Sequence, residues 1–423
     1  MSSIRRHKRL LFILLGALVL RLGAAVALQS YLDHRLHRQF LIEGDANGYW
    51  ELGERMAEGR AYELYEPPRR VLRMPGFPAI LAASIKLADL IGLSERRMLV
   101  ARCVLAIVGT VACGLVYLLG RELFDERVGL LSAAITAVLP VMIGFSVLIL
   151  SETAFAACLV LSLLMMARLV KARRLERAAK PAIVLAFAVG ASVALACYMR
   201  PSWLPAAPLF ALAYLMSASN KKTALCEATL VMLGLAVTMA PWAIRNHQVT
   251  GHWVLTTLWL GPSLYDGLNP DATGDSDLSF FDRDALMAGG MSEHDVNRHY
   301  TKLALQYARE HPRRAIELAL AKFARFWKPW PNAAQFDHWA ARLAVAVFFI
   351  PAMLLAAWGW WACRREPWKW LLTAGPVLFF SALHCLFVGS LRYRLPAEYP
   401  LAVLTAVGAL ACCSGPWRQS RTT

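Results

Sequence analysis

Residues 128–170 read VGLLSAAITAVLPVMIGFSVLILSETAFAACLVLSLLMMARLV, with Glu152 and Arg168 as the only formal charges. Each half of this stretch approaches the ~20 apolar residues that a helix needs to cross ~30 Å of hydrocarbon. Between the halves stands only Ser151-Glu152-Thr153, enough for a tight turn. The stretch therefore reads as two antiparallel membrane helices.

The same pattern repeats outward. Further apolar runs include Leu10–Leu28 and Leu395–Cys413. Spans are expected at about 10–30, 98–119, 128–149, 152–170, 181–199, 202–217, 224–244, 339–361, 370–388 and 395–413. The fold class is an all-α polytopic membrane protein with about ten transmembrane helices. Composition agrees: 58% of the 423 residues are hydrophobic, and the mean hydropathy is +0.45.

A net charge of +16 would suggest nucleic acid in a soluble chain. Here Lys and Arg gather in short links between apolar runs, which argues against a nucleic-acid partner. The nine cysteines lie in or beside those runs, so no disulfide framework is implied. No CxxC or HExxH pattern occurs, and His294 and His299 read as solvated loop residues. Arg5, Arg6, Lys8 and Arg9 precede the first run, and Ala25-Val26-Ala27 resembles a cleavage site. The run is long and more spans follow, so an uncleaved signal-anchor is expected.

The bias of Lys and Arg sets the orientation. With residues 1–9 inside, the inner links are 120–127, 171–180, 217–222 and 364–369. They carry Lys171, Arg173, Arg174, Arg177, Lys180, Lys221, Lys222, Arg364, Arg365 and Lys369. The tail 414–423, with Arg418 and Arg421, falls inside as well. Spans two to seven occupy 98–244 and spans eight to ten 339–413. Two long segments, 31–97 and 245–338, then lie on the outer face. In the first, residues 51–57 read as helix with Gly59 as its stop. Pro75–Leu93 reads as a helix along the surface or partly inserted. In the second, His311–Trp330 reads as an amphipathic helix at the membrane interface, with Ala315, Leu318, Phe323, Phe326 and Trp327 on its apolar side.

Several polar residues stand where membrane proteins keep few. Asp45 follows the first span; it could take a proton from an acceptor hydroxyl or cap a helix starting at Ala46. Glu43 competes for the acid role. Arg73 precedes Pro75-Gly76-Phe77-Pro78 at headgroup depth, where a guanidinium holds a phosphate in a fork or snorkels to lipid. Glu152 is a carboxylate beside hydrocarbon, a functional position by default or a helix cap. Arg200, Arg245, Arg392 and Arg394 fall in outer turns, against the positive-inside bias. A lipid-linked phosphate is their natural partner. Arg21 interrupts the first span and should face the bundle, paired with an acid or a carbonyl. Gly261–Pro270, with Tyr265 and Asn269, reads as a binding loop rather than a linker.

In order along the chain, these motifs are Gly44-Asp45-x-x-x-Tyr49, Arg73-x-Pro75-Gly76-Phe77-Pro78, Ser151-Glu152-Thr153, Arg200-Pro201 and Pro241-Trp242-x-x-Arg245-Asn246. Gly261, Gly267-x-Asn269-Pro270 and Arg392-Tyr393-Arg394-Leu395-Pro396 follow. Together they resemble the GT-C membrane glycosyltransferases, in particular the bacterial branch of the protein-mannosyltransferase and aminoarabinose-transferase superfamily. The resemblance spans roughly residues 10–410. It implies a GT-C bundle with two helical outer loops, in the bacterial inner membrane, moving a sugar from a polyprenyl-phosphate donor to a lipid, glycan or protein acceptor with inversion. Asp45 would be the general base, with Glu152 assisting. Arg73, Arg200, Arg245, Arg392 and Arg394 would hold the phosphate, and Tyr49, Tyr265, Asn269 and Tyr393 would line the substrate loops. No cofactor is called for; a divalent metal is left open, and no metal-ligating residues are assigned.

The sequence also departs from these relatives. Protein mannosyltransferases carry adjacent Asp-Glu in the first loop, whereas Ala46 follows Asp45 here, which weighs against protein O-mannosylation. No sizeable soluble domain is expected after the last span. A transporter or flippase of a lipid-linked glycan is the alternative from another class. It calls for repeated topology and broken mid-membrane helices, and no repeat is visible. A non-catalytic protein binding a lipid-linked glycan would keep the arginines without needing Asp45.

Overall fold

The computed structural model describes residues 3–175, 179–331 and 338–414. Arg177, Arg418 and Arg421, assigned above to the inner side, lie outside the described residues.

The chain opens with α1 (Ser3–Tyr31), followed by the short α2 (Asp45–Ala57) and α3 (Gly76–Leu90) of the first loop. A hairpin of long helices and fragments comes next: α4 (Arg97–Leu123), α5 (Glu126–Val138), α6 (Pro140–Phe145) and α7 (Glu152–Arg174). Then α8 (Ala179–Met199), α9 (Ala206–Ser217) and α10 (Lys221–Thr250) complete the first bundle. The second loop holds α11 (Leu260–Gly267), α12 (Ser279–Asp284), α13 (Glu293–Glu310) and α14 (Pro312–Trp327). The last part is α15 (Trp339–Cys363), α16 (Pro367–Leu371), α17 (Gly375–Leu383) and α18 (Leu391–Ser414). Among the described residues the only β pairing is an isolated bridge between Leu64 and Arg69.

Seven described helices are long and apolar enough to cross a membrane. They are the counterparts of seven of the ten expected spans, and the protein is a multi-pass membrane protein. The other three apolar stretches are built from shorter pieces. The stretch 128–149 breaks at Pro140, whose nitrogen has no hydrogen for the Thr136 carbonyl. The stretch 202–217 is met by α9, and 370–388 by α16 and α17.

Arg21 explains how the break at Pro140 is tolerated. Its side chain is fully buried. Nη2 donates to Thr136 O at 2.9 Å, and Nη1 donates to Ala137 O at 3.1 Å and to Ala17 O at 3.2 Å. The final carbonyls of α5, orphaned by the helix end, meet a cation where the helix dipole favours one. Of the two partners expected for Arg21, an acid or a carbonyl, the carbonyl is the one present.

Helices α7 and α18 form the centre, each packed on α4 as well as on the other. Most of their side chains are buried, whereas Phe12, Val19, Val184 and Leu354 on the outer helices are exposed, as lipid-facing residues should be. Close packing relies on small residues. A Cβ on Gly190 of α8 would stand 1.8 Å from Val231 O, so bare glycine lets α10 approach this far. In lipid, such close contact substitutes for the hydrophobic drive that helices lack there.

Helix α7 also gives the bundle a polarity. Glu152 begins it, and Lys171, Arg173 and Arg174 end it about 35 Å away at 1.5 Å per residue. At the basic end Lys171 pairs with Glu122 at 2.8 Å, and Arg173 binds the buried Glu227. The end that carries Glu152 also receives the close of α8 and the start of α18.

In the second loop, α14 runs close to the expected amphipathic helix. Leu318, Lys322 and Phe326 face inward. Phe323, expected on the apolar side, is 47% exposed beside the exposed Ile316 and Leu320. Lys322 takes an inward position because its ammonium donates to Leu386 O at 2.8 Å and Cys385 O at 3.2 Å. These are carbonyls beyond the end of α17, left free by the turn.

Candidate active site

Helix α2 begins at Asp45 itself. Gly44 is its cap residue, at φ +79°, and supplies no side chain. The Asp45 carboxylate therefore does not cap the helix, which corrects that reading of the sequence. It is turned instead to two arginines. Arg73 donates to Oδ1, and Arg392 Nη2 stands 2.8 Å from Oδ2. Glu43 is exposed and has no place in this group.

Glu152 has the same history. It is the first residue of α7, and no side chain caps that helix. Its carboxylate is 0% exposed and its Oε1 accepts from Arg200 Nη1 at 2.9 Å and from Arg392 Nε. Oε2 is buried with no hydrogen-bond partner among the described residues. A buried carboxylate is tolerated only when paired, and two guanidinium groups pair this one.

The result is a row of alternating charges: Arg73, Asp45, Arg392, Glu152, Arg200. Five separate segments supply it, and aromatic rings fix the side chains. Arg73 lies 5.3 Å from the Tyr49 ring centre, and Arg200 lies 5.1 Å from that of Tyr393, both within cation–π range. The Tyr49 ring meets Phe77 edge-on at 5.0 Å. Tyr393 stacks on His384 at 4.5 Å and 6°. His384 is a contributor that the sequence reading missed; nothing in its local pattern marks it.

Gly76 explains how Arg73 arrives. A Cβ there would stand 2.7 Å from Tyr198 O, at the close of α8. The bare backbone lets the start of α3 rest on α8, two residues before Arg200. Pro75 and Gly76 thus bring the segment bearing Arg73 and the segment bearing Arg200 to one place.

Burial pushes the Asp45 carboxyl up, but the charges of Arg73, then Arg392 and Arg200, outweigh it and hold the group well below the usual carboxylate range. For Arg73, burial works against the charged form and Asp45 outweighs it, so its pKa is raised. Asp45 is thus an anion locked between cations.

The remaining sequence candidates lie elsewhere. Arg245 donates to Arg70 O at 2.6 Å and Tyr62 O at 3.0 Å, and is not joined to the row. Arg394, also 0% exposed, donates to Glu398 at 2.6 Å and to Lys328 O at 2.9 Å, with its guanidinium 3.9 Å from the Phe349 ring centre. It ties α18 to the end of α14. Arg392 points the other way because two residues along one helix turn the side chain by about 200°. Tyr265 packs with Phe280 and Tyr300 inside the second loop, and Asn269 Nδ2 donates to Tyr265 O at 2.7 Å. The stretch 261–270 is thus packed core of that loop: a Cβ on Gly261 would stand 2.0 Å from Asn297 O of α13. Among the described residues, no three His, Cys, Asp or Glu side chains are grouped as metal ligands.

Residues 73–244 match the family model described as dolichyl-phosphate-mannose-protein mannosyltransferase. The fold is similar to that of the oligosaccharyltransferase AglB of Archaeoglobus fulgidus solved with an inhibitory peptide and a dolichol-phosphate. That alignment has a TM-score of 0.56 and 16% identity, over 99% of this chain and 53% of that one. It is also similar to the apo oligosaccharyltransferase of the same organism, with a TM-score of 0.59 and 15% identity over 97% and 51% of the two chains. The chain thus spans about half the length of the solved structures it matches. No curated protein sequence is significantly similar to it. The family match over residues 73–244 and the shared fold agree with the resemblance read from the motifs.

Proposed function

We propose that the chain is a glycosyltransferase that moves a sugar from a polyprenyl-phosphate donor to a hydroxyl of a lipid, glycan or protein, at the outer face of the bacterial inner membrane. The observation that carries this reading is the row of alternating charges at one end of the bundle. Three guanidinium groups converge there, at the end opposite the basic inner links. A dianionic or monoanionic phosphate is the ligand such forks suit.

In the reaction, the acceptor oxygen attacks the anomeric carbon as the bond from that carbon to the phosphate oxygen breaks. The electron pair of that bond stays on the phosphate, where Arg73, Arg200 and Arg392 stabilise the developing charge. The hydroxyl proton passes to Asp45. One displacement inverts the anomeric centre.

Asp45 in its arginine lock is a weak base, since proton transfer is most effective when the base pKa lies near the working pH. A bound phosphate competes for Arg73 and Arg392. As they turn to it, Asp45 loses its counter-charges and its basicity rises. The donor thereby prepares the base that the acceptor needs. Transfer of labelled sugar from polyprenyl-phosphate donors, in membranes holding wild type or Asp45→Asn, tests the reading. Transfer by wild type and its loss in a normally accumulated variant would support it. Equal transfer by both would move the base elsewhere.

A further inference from the structure

Arg73 is held not only through its side chain but through the main chain before it. The segment 62–74 has little regular structure, yet its backbone is gripped from several sides. Glu293, the first residue of α13, accepts from Arg70 N at 2.9 Å and from Val71 N at 3.1 Å. Leu258 N donates to Val71 O at 2.9 Å. Arg245, at the close of α10, holds Arg70 O and Tyr62 O, and its guanidinium lies over the Trp242 and Tyr62 rings. The Tyr62 hydroxyl lies 3.2 Å from both the Arg73 and Met74 carbonyls. Val71 is fully buried, and burial of an amide demands a partner.

From these contacts we infer that Glu293 is a positioning residue. The second outer loop, through Glu293, fixes the backbone at 70–71 and so sets where Arg73 meets Asp45. Glu293 suits this task because its two oxygens can each accept from one of two adjacent amides, which a cation cannot do. A charged acceptor also makes the stronger bond. Arg245 grips the same 70–71 peptide group from the other side, through the Arg70 carbonyl. The two residues lie on different elements, so a shift of α13 relative to α10 would move the Arg73 pedestal as a unit. The inference rests on the transferase reading for its catalytic meaning, and on geometry alone for its structural part.

Two measurements on the purified full chain in detergent separate those parts. In Glu293→Ala, hydrogen exchange at the amides of residues 62–73 should speed up by about tenfold or more, while exchange in α7 and α18 stays as in wild type. In Glu293→Gln, whose amide oxygen still accepts one bond, the change should be smaller. In transfer from a polyprenyl-phosphate sugar, Glu293→Ala should lower kcat by about tenfold to a hundredfold, as misplacement of a catalytic group does, with KM for donor within about twofold. Glu293→Gln should recover most of the rate. Unchanged exchange at 62–73 in Glu293→Ala overturns the grip. Faster exchange with wild-type kcat overturns the positioning role. Faster exchange in α7 and α18 as well would mean general unfolding and also overturn it. If wild type transfers from no donor, the transferase reading fails, and the exchange data alone still decide whether Glu293 holds the segment.

Discussion

Arg392 ion-pairs with Asp45 at 2.8 Å, although one opens the last helix and the other follows the first. That contact closes the bundle at its charged end, because the same guanidinium also reaches Glu152. A single side chain thus joins the proposed base to the buried acid.

Asp45→Asn keeps the shape of the side chain and removes its proton affinity. Transfer should fall by about a hundredfold or more at normal protein abundance, with melting in detergent somewhat lower because the ion pairs with Arg73 and Arg392 are lost. A variant retaining a tenth of the wild-type rate would speak against a base at this position.

The acid limb of transfer should respond to Arg73. With Arg73 present, the folded-state pKa of Asp45 is depressed, so free enzyme keeps the carboxylate charged down to strongly acidic pH. Arg73→Gln removes the leading counter-charge, raises that pKa, and should move the acid limb of kcat/KM to higher pH. The linked stability has the opposite visibility. For a depressed carboxylate it is present above the unfolded pKa of about 4 and lost only as pH falls through the folded value. The pH slope of thermal stability around neutral pH should therefore not report on Asp45.

Glu152 is fully buried between Arg200 and Arg392. Glu152→Ala leaves both cations without their shared partner and should destabilise the folded chain by about 3 kcal/mol, the cost of breaking a buried pair from one side. Glu152→Gln retains one acceptor and should cost less. Thermal unfolding in detergent would rank the two, and equal effects would deny the charge a role.

Arg394 offers the contrasting case. Its hydrogen bonds go to Glu398 and to main-chain carbonyls of the α14 end. Arg394→Met should lower thermal stability while leaving the KM for donor within about twofold, since nothing it touches belongs to the charged row. A large rise in KM at normal stability would return it to the phosphate site.

Gly76→Val places a Cβ 2.7 Å from Tyr198 O. The start of α3 must then lift from α8, carrying Arg73 away from Asp45. Transfer should fall by about a hundredfold, the order expected from an ångström-scale misplacement, and Gly76→Ala should be milder.

Much of this was legible in the residues. Apolar runs and basic links located the long helices because the hydrocarbon thickness and the charge asymmetry act on every span alike. Glu152, Arg200 and Arg392 stood out because each set a charge in a short turn beside an apolar run, Asp45 because it follows the first span and Arg73 because it precedes Pro75-Gly76-Phe77-Pro78, and the structure brings all five together. Arg245 and Arg394 carried the same signal for a different cause: both satisfy main-chain carbonyls. A guanidinium bound to a carbonyl and one awaiting a phosphate look alike in a sequence. The break at Pro140 was hidden because the residues on both sides are equally apolar. Glu293 and His384 were not visible at all, since their partners are distant backbone or a ring on another helix.

Arg21 bears on how the chain is made. Its guanidinium rests on the carbonyls that close α5, yet α1 leaves the ribosome long before those carbonyls exist. Until then the charge sits in a helix whose other residues favour lipid, at a cost of about 3 kcal/mol by insertion measurements. The surrounding leucines and valines can outweigh that cost, but only with the charge reaching toward a headgroup or water. The first helix therefore enters the membrane early and reaches its final depth late, once the synthesis of residues 126–138 has supplied its acceptors.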